Sequence, residues 1–503
     1  MLSKKFDNPR TSYFVVFTVA AVLYVMTCSP GVLWQDSGMI QYRVWHKDIE
    51  GGLGLALSHP LFYITAIGAG YIPFGEFAYK INLVSAIAAA MAVANVFLLM
   101  RLWLGKNLPA VMAAASLALS HTFWQHACVA ETYTLYSALL TAELVVLLQY
   151  VKTRQVGYLY LLGLFNGLSI ADHMFGTLPF ICYAIFIACL FVKKNVGVKQ
   201  LLIIAAAWLS GFSPYGYLII KEMLRTGDIA AVISSALFGK GWQKDVLNAG
   251  ISVRLIKENL ILMAYNFPTP NILLFFAGVL GLRKVSPSRS FTNILFGLLV
   301  LFLLFAFRYT VPDRYAFFIP FYCIVAILTG VGFEVFILRN QRTVLAGISL
   351  ILTLFAVAIY LAAPLIAEKA NFNISEKREL TYRNNYKWFL QPWKGGYNGS
   401  AKFAHEALAS VDSQAVIIAD GTTVYPLWYV QTFEGIGRQV EVVSRHGSYV
   451  RPIAFPTAEN IEQLLANHTV YVVSPIHGYC PEFLLENYQF VPNGVIWKVA
   501  GLK

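Results

Sequence analysis

The run Leu33-Trp34-Gln35-Asp36-Ser37-Gly38 places a carboxylate about one turn beyond the end of the first apolar segment. Ionisable groups at the edge of a bilayer are rare unless they have a task. A carboxylate at the mouth of a membrane cavity can act as general base on a hydroxyl held within about 3 Å. The structural alternative is that Asp36 caps a short helix through Gln41.

Glu131-Thr132-Tyr133 follows His121, Trp124 and His126. Histidines five residues apart do not share a helical face, so the group reads less as a metal site than as a polar pocket for a sugar or phosphate. The competing reading is an aromatic belt around a partnered Glu131. Asp172-His173 ends a span that also carries Asn166, and it suits an interhelical pair as well as a site. Arg308-Tyr309 and Asp313-Arg314-Tyr315, with Lys221, Arg225 and Lys240, form a cationic set. Either they are solvated loop charges or they receive an anionic ligand such as a lipid phosphate. No Walker loop, dinucleotide fingerprint or Ser/His/Asp arrangement is present.

The elements that must hold these groups are membrane helices. Of the 503 residues, 58% are hydrophobic and 13% charged, and the mean hydropathy is +0.61, outside the range of a soluble globular chain. The net charge of +12 lies in short loops between apolar runs, where it orients helices, so nucleic acid is not an expected partner. Six scattered cysteines form no C-x-x-C, which leaves open at most a single bridge such as Cys128 to Cys480. Neither a cofactor nor a metal is expected.

Apolar runs give about eleven spans: Tyr13 to Cys28, Ile81 to Met100, Leu108 to Trp124, Tyr133 to Tyr150, Gly157 to Ala171, Phe175 to Val192, Leu201 to Ile220, Leu260 to Leu282, Phe291 to Phe307, Tyr315 to Leu338 and Val344 to Leu365. The stretch Leu53 to Ile72 decides the orientation. If it lies at the interface, Arg101/Lys106, Lys152/Arg154, Lys193/Lys194/Lys199, Arg283/Lys284/Arg289 and Arg339/Arg342 all share a face with Lys4/Lys5/Arg10. If it crosses, they oppose that basic N-terminus. The positive-inside bias selects the first arrangement, with the N-terminus cytoplasmic. Asp36, His59, Glu131, Asp172, His173, Arg308 and Arg314 then gather on the outer face. A nucleotide-sugar would be on the wrong side, whereas a lipid-linked donor fits.

Residues 1-366 are thus expected to form an all-α polytopic membrane domain, and residues 367-503 a small extracytoplasmic α/β domain. Its expected strands are Ala415 to Ala419, Val440 to Val443 and Val470 to Val473, with helices at Thr422 to Gln431 and Ala458 to Ala466. A bacterial inner membrane is the expected setting.

Several motifs in this order resemble a known family. They are Asp36-Ser37-Gly38, Ser58-His59-Pro60, Ile72-Pro73-Phe74-Gly75, Asn82-Leu83-Val84-Ser85-Ala86, Glu131-Thr132-Tyr133, Asp172-His173, Ser213-Pro214-Tyr215 and Asp313-Arg314-Tyr315. The chain resembles the uncharacterised-domain family that includes the eukaryotic transmembrane O-mannosyltransferase of plexin-type receptor domains. Leu61-Phe62 departs from the family's usual Pro-Gly after His59-Pro60.

That family is similar to the GT-C superfamily of membrane glycosyltransferases. The resemblance implies interfacial helices in the first outer loop and an inverting transfer of mannose or another hexose from a polyprenyl-phosphate donor. Asp36 would be the base; His59, Glu131, Tyr133, Asp172 and His173 would line the substrate pocket; Arg308 and Arg314 would hold the donor phosphate. The expected partners are a polyprenyl-phosphate-linked sugar, a protein or glycan acceptor and membrane lipid. A lipid-linked glycan flippase is the alternative, using the same cavity from both leaflets.

Overall fold

In hydrocarbon every backbone polar group must be bonded within its own segment, so long apolar runs become helices. The computed structural model describes residues 8–311, 313–373, 380–445 and 453–503; Lys4 and Lys5 of the basic N-terminus lie outside them. Among the described residues, eight helices are long and apolar enough to cross a membrane. The protein is a multi-pass membrane protein. The segment Arg314–Leu338 is 89% buried over its apolar window and forms the axis of the bundle, against Phe77–Leu104 and Tyr133–Thr153.

Three of the eleven expected spans are shorter or broken helices. Leu108 to Trp124 is split into Asn107–Ala118 and His121–Ala127. Leu260 to Leu282 becomes Val253–Asn266 and Ile272–Gly281, separated by Pro268 and Pro270, which cannot donate a backbone hydrogen bond. Gly157–Asp172 has 16 residues, about 24 Å of helix.

Close approach is bought with small residues. A Cβ on Gly278 would run into the Leu328 carbonyl and one on Gly332 into the Leu274 carbonyl, so these two helices pack backbone to backbone. At one end of the bundle Lys106 and Arg339, expected on one face, both reach Glu334, at 2.7 and 3.4 Å.

The stretch Leu53 to Ile72 forms a 3-10 turn, Leu55–Leu57, and the 11-residue helix Pro60–Gly70. At about 16 Å it is too short for ~30 Å of hydrocarbon, as the interfacial reading requires.

After the last long helix, Thr343–Lys369, the chain builds a five-stranded sheet ordered β2-β1-β3-β5-β4. Here β1 is Val416–Ile418, β2 Glu441–Val443, β3 Val470–Val472, β4 Tyr488–Asn493 and β5 Ile496–Leu502. The first three are parallel, and β4 and β5 form an antiparallel hairpin. All six cysteines are free, so the Cys128 to Cys480 bridge does not form.

This sheet domain shares one hydrophobic core with the loop after the first long helix: Trp34, Ile40 and Tyr42 pack with Phe403, Tyr425 and Trp428. Polar ties fix the register. Trp34 Nε1 donates to Tyr397 Oη at 2.6 Å, Ser400 Oγ to the Val32 carbonyl at 2.5 Å and Gln35 N to the Thr422 carbonyl at 3.2 Å. Tyr429 Oη donates to Glu76 Oε1 at 2.6 Å and accepts from Ala78 N at 3.2 Å. With buried large side chains contributing about 1.5–3 kcal/mol each, this interface is too extensive to be a loose tether.

Candidate active site

Asp36 is the second residue of the helix Gln35–Trp45, where the helix dipole favours a carboxylate. It does not cap that helix: Trp34 holds the cap position without a side-chain bond. Gln41 does something else. It accepts from Leu33 N at 3.0 Å and donates to Asn82 Oδ1 at 2.7 Å, tying the loop to the helix Phe77–Leu104. Asp36 accepts no hydrogen bond from any described residue, so its carboxylate is free for chemistry.

Two more carboxylates face it from distant parts of the chain. Glu131 precedes the helix Tyr133–Thr153 and Asp313 precedes Arg314–Phe318. Asp36 and Asp313 are both solvent-exposed, yet the protein packed around them disfavours their charged forms. This enclosure raises the Asp36 pKa to about 7, with the Asp313 charge adding to it. Glu131 is pushed well above the ordinary carboxylate range by burial, then by Asp36 and Asp313. Asp313 is raised by burial. A base poised near neutrality is what proton abstraction from a hydroxyl requires.

The aromatic wall beside these acids contains the other expected pocket residues. His59 Nδ1 lies 2.8 Å from the Asp172 carbonyl, and its ring stacks on His173 with centroids 4.9 Å apart. His173 in turn meets Tyr133 at 5.2 Å, Tyr133 meets His126 at 5.3 Å, and His126 meets Tyr315 at 5.8 Å. Burial pushes His59 down to about 4, leaving it neutral. It holds a left-handed backbone, φ 50°, a conformation that non-glycine residues keep only where surroundings enforce it. The Asp172 carbonyl orients the His59 ring, while the Asp172 carboxylate is fully buried.

The expected cations already have partners. Arg308 donates to the carbonyls of Val246 and Asn248, the latter at 2.6 Å, and lies 5.0 Å over the Phe305 ring. Arg314 pairs with Glu258 and donates to Asn259 Oδ1 at 3.3 Å. A ligand at either has to share or displace these contacts.

Three residues were missed from sequence. Asp313 was visible only as part of a cationic motif. Arg43 is buried at 4% exposure, donates to Tyr63 Oη at 2.7 Å and pairs with Asp48 at 3.5 Å. It lies two turns beyond Asp36 on the same face, a spacing that could have drawn attention to it. Tyr425 arrives from the C-terminal domain, and nothing local announces that.

The shared charge makes a test. Removing the Asp313 charge makes Asp36 easier to ionise, so Asp313→Asn should move the acidic limb of the pH–rate profile to lower pH. A limb that stays put or moves up would show that the two do not communicate.

A helical membrane body, a first long loop that bears the acid on a short helix and an α/β domain packed on that loop are an arrangement shared with solved membrane proteins. The chain is similar over its whole length to ArnT from Cupriavidus metallidurans. Against ArnT bound to undecaprenyl phosphate the TM-score is 0.61 at 14% identity, covering 97% of this chain and 98% of that one. Against the apo state it is 0.60 at 13% identity, with 98% of each covered. The sequence profile of the Protein O-mannosyl-transferase TMEM260 N-terminal domain matches residues 58–196, which hold His59, Glu131, Tyr133, Asp172 and His173 but not Asp36. Protein O-mannosyl-transferase TMEM260 of Mus musculus is 26% identical over 215 residues, 42% of this chain and 30% of the mouse protein. The family resemblance is borne out over residues 58–196, which carry the motifs from Ser58-His59-Pro60 to Asp172-His173.

Proposed function

We propose that the chain is a membrane glycosyltransferase that moves mannose or another hexose from a polyprenyl-phosphate donor to a hydroxyl on a protein acceptor. The observation that carries this reading is Asp36, an unbonded, solvent-exposed carboxylate with its pKa raised to about 7, in a fold shared with ArnT. The names of the relatives support it: one is an O-mannosyl-transferase and the other was captured with undecaprenyl phosphate.

The acceptor oxygen forms a bond to the anomeric carbon as the bond from that carbon to the phosphate oxygen breaks. The proton passes to Asp36 and the electron pair leaves with the lipid phosphate. His59, Tyr133, His173 and Glu131 shape the sugar and acceptor pocket, with Asp172 fixing His59 through its carbonyl. Arg308 and Arg314 neutralise the departing phosphate, the electrostatic part of such chemistry. The reaction lies on the outer face of a bacterial inner membrane, with the N-terminus cytoplasmic and the C-terminal domain periplasmic.

The test is transfer of labelled mannose from polyprenyl-phosphate-mannose to protein by the purified native chain in lipid vesicles. Label in protein supports the reading; its absence with mannose and with the other common hexoses overturns it. Arg308→Ala should raise the donor KM by about tenfold, one charge-assisted contact, and leave the acceptor KM nearly unchanged. Unaltered donor kinetics would remove Arg308 from the phosphate site.

A further inference from the structure

Asp36 is roofed by a side chain from the opposite end of the sequence. The strand β1 has parallel neighbours on both sides. In such sheets ligands gather at the carboxyl edge, where the strand order reverses. The loop leaving that edge of β1 is Ala419 to Thr423. Asp420 accepts there from Thr422 N at 3.0 Å and from Thr423 N at 3.1 Å, which sets the start of the helix Val424–Tyr429. The same loop is bolted to the Asp36 helix by Gln35 N donating to the Thr422 carbonyl.

Tyr425, the second residue of the short helix, therefore lies against Asp36 with little freedom. A Cβ on Gly38 would sit 3.2 Å from Tyr425 Cβ as well as run into the Leu33 carbonyl, so the glycine of Asp36-Ser37-Gly38 is what lets this helix come so near. The Tyr425 ring is 6.4 Å from Tyr42 and 5.6 Å from Trp428, and it is close enough to Asp36, Arg43 and Asp48 to feel their charges. Tyr425 is 5% exposed, and its hydroxyl, which makes no hydrogen bond to any described residue, is not among the buried unpaired polar atoms, so the ring is fixed in the shared core while its polar tip stays open to a ligand.

We propose that Tyr425 is an acceptor-binding residue, its hydroxyl hydrogen-bonding the polypeptide acceptor beside the Ser or Thr hydroxyl that Asp36 deprotonates. The assignment to the acceptor follows from direction. A lipid-linked donor enters from the bilayer, whereas Tyr425 comes from the soluble domain on the far side of Asp36. The active site is then incomplete without the C-terminal domain, and Gly38 serves the acceptor side of the site.

This inference rests on the glycosyl-transfer reading, and the experiment separates the two. With polyprenyl-phosphate-mannose and a synthetic Ser/Thr-rich peptide, Tyr425→Phe is expected to raise the peptide KM about tenfold, the loss of one hydrogen bond. The donor KM and the slow release of free mannose to water without peptide should stay within about twofold of native, since neither uses the lost contact. A change confined to folding would depress transfer and release together. Tyr425→His, which restores a donor on the ring, is expected to recover part of the peptide affinity. An unchanged peptide KM in Tyr425→Phe overturns the inference and leaves glycosyl transfer standing, as does an equal fall in transfer and release. A native chain that releases mannose but never labels peptide overturns the polypeptide acceptor assigned to Tyr425. One that does neither removes the glycosyl-transfer reading itself.

Discussion

Asp36→Asn is expected to lower transfer by about a hundredfold to ten-thousandfold, the usual contribution of a general base, while the protein folds normally. The two halves of that expectation have separate causes. Activity falls because asparagine cannot take the acceptor proton. Stability holds because Asp36 accepts no hydrogen bond from a described residue and stands against the charges of Glu131 and Asp313; removing it relieves repulsion. The native profile carries the same signature. A carboxyl group with its pKa raised to about 7 is protonated below that pH and cannot act as base, so the rate should decline as pH falls through about 7 and level off above it. Comparing initial rates and thermal midpoints of the two proteins decides the matter. A variant with native rates would make Asp36 a spectator and move the search for the base to Glu131.

Trp428→Ala is expected to lower stability by about 3–5 kcal/mol and to reduce transfer with it. Trp428 is 1% exposed, donates from Nε1 to the Val442 carbonyl at 3.0 Å and lies 5.5 Å from the Tyr42 ring on the Asp36 helix. Truncation leaves a large hole where the sheet domain meets the loop after the first long helix, and the Val442 carbonyl loses its Trp428 donor. Tyr42 and Asp36 belong to one short helix, so loosening one end misplaces the other. Chemical or thermal unfolding, read beside the transfer rate, tests this. A loss under about 1 kcal/mol, or destabilisation without loss of transfer, would show the domain to be an appendage.

The β4–β5 hairpin shows where local signals went unread. Asn493-Gly494 stands between two alternating apolar runs, a strong hairpin signal, and Gly494 has φ 61°. The strands Val416–Ile418, Glu441–Val443 and Val470–Val472 fall inside the expected runs, because short buried strands between helices declare themselves by β-branched composition.

What the sequence determined by itself is the membrane body and the strands of the C-terminal sheet that fall inside the expected runs. Hydropathy, loop charge and proline breaks act within one segment at a time, and the bilayer enforces them segment by segment. Only the tertiary structure decided which acids come close enough to feel one another's charge. Asp36 opens one short helix and Glu131 and Asp313 precede two others; they come near one another because Phe77–Leu104, Tyr133–Thr153 and Arg314–Leu338 pack together, and side-chain packing between distant helices leaves no periodic mark in the chain. The same holds for Arg314, whose partner Glu258 sits on another element. It holds most of all for Tyr425, placed over Asp36 by the docking of a domain that folds from the far end of the chain.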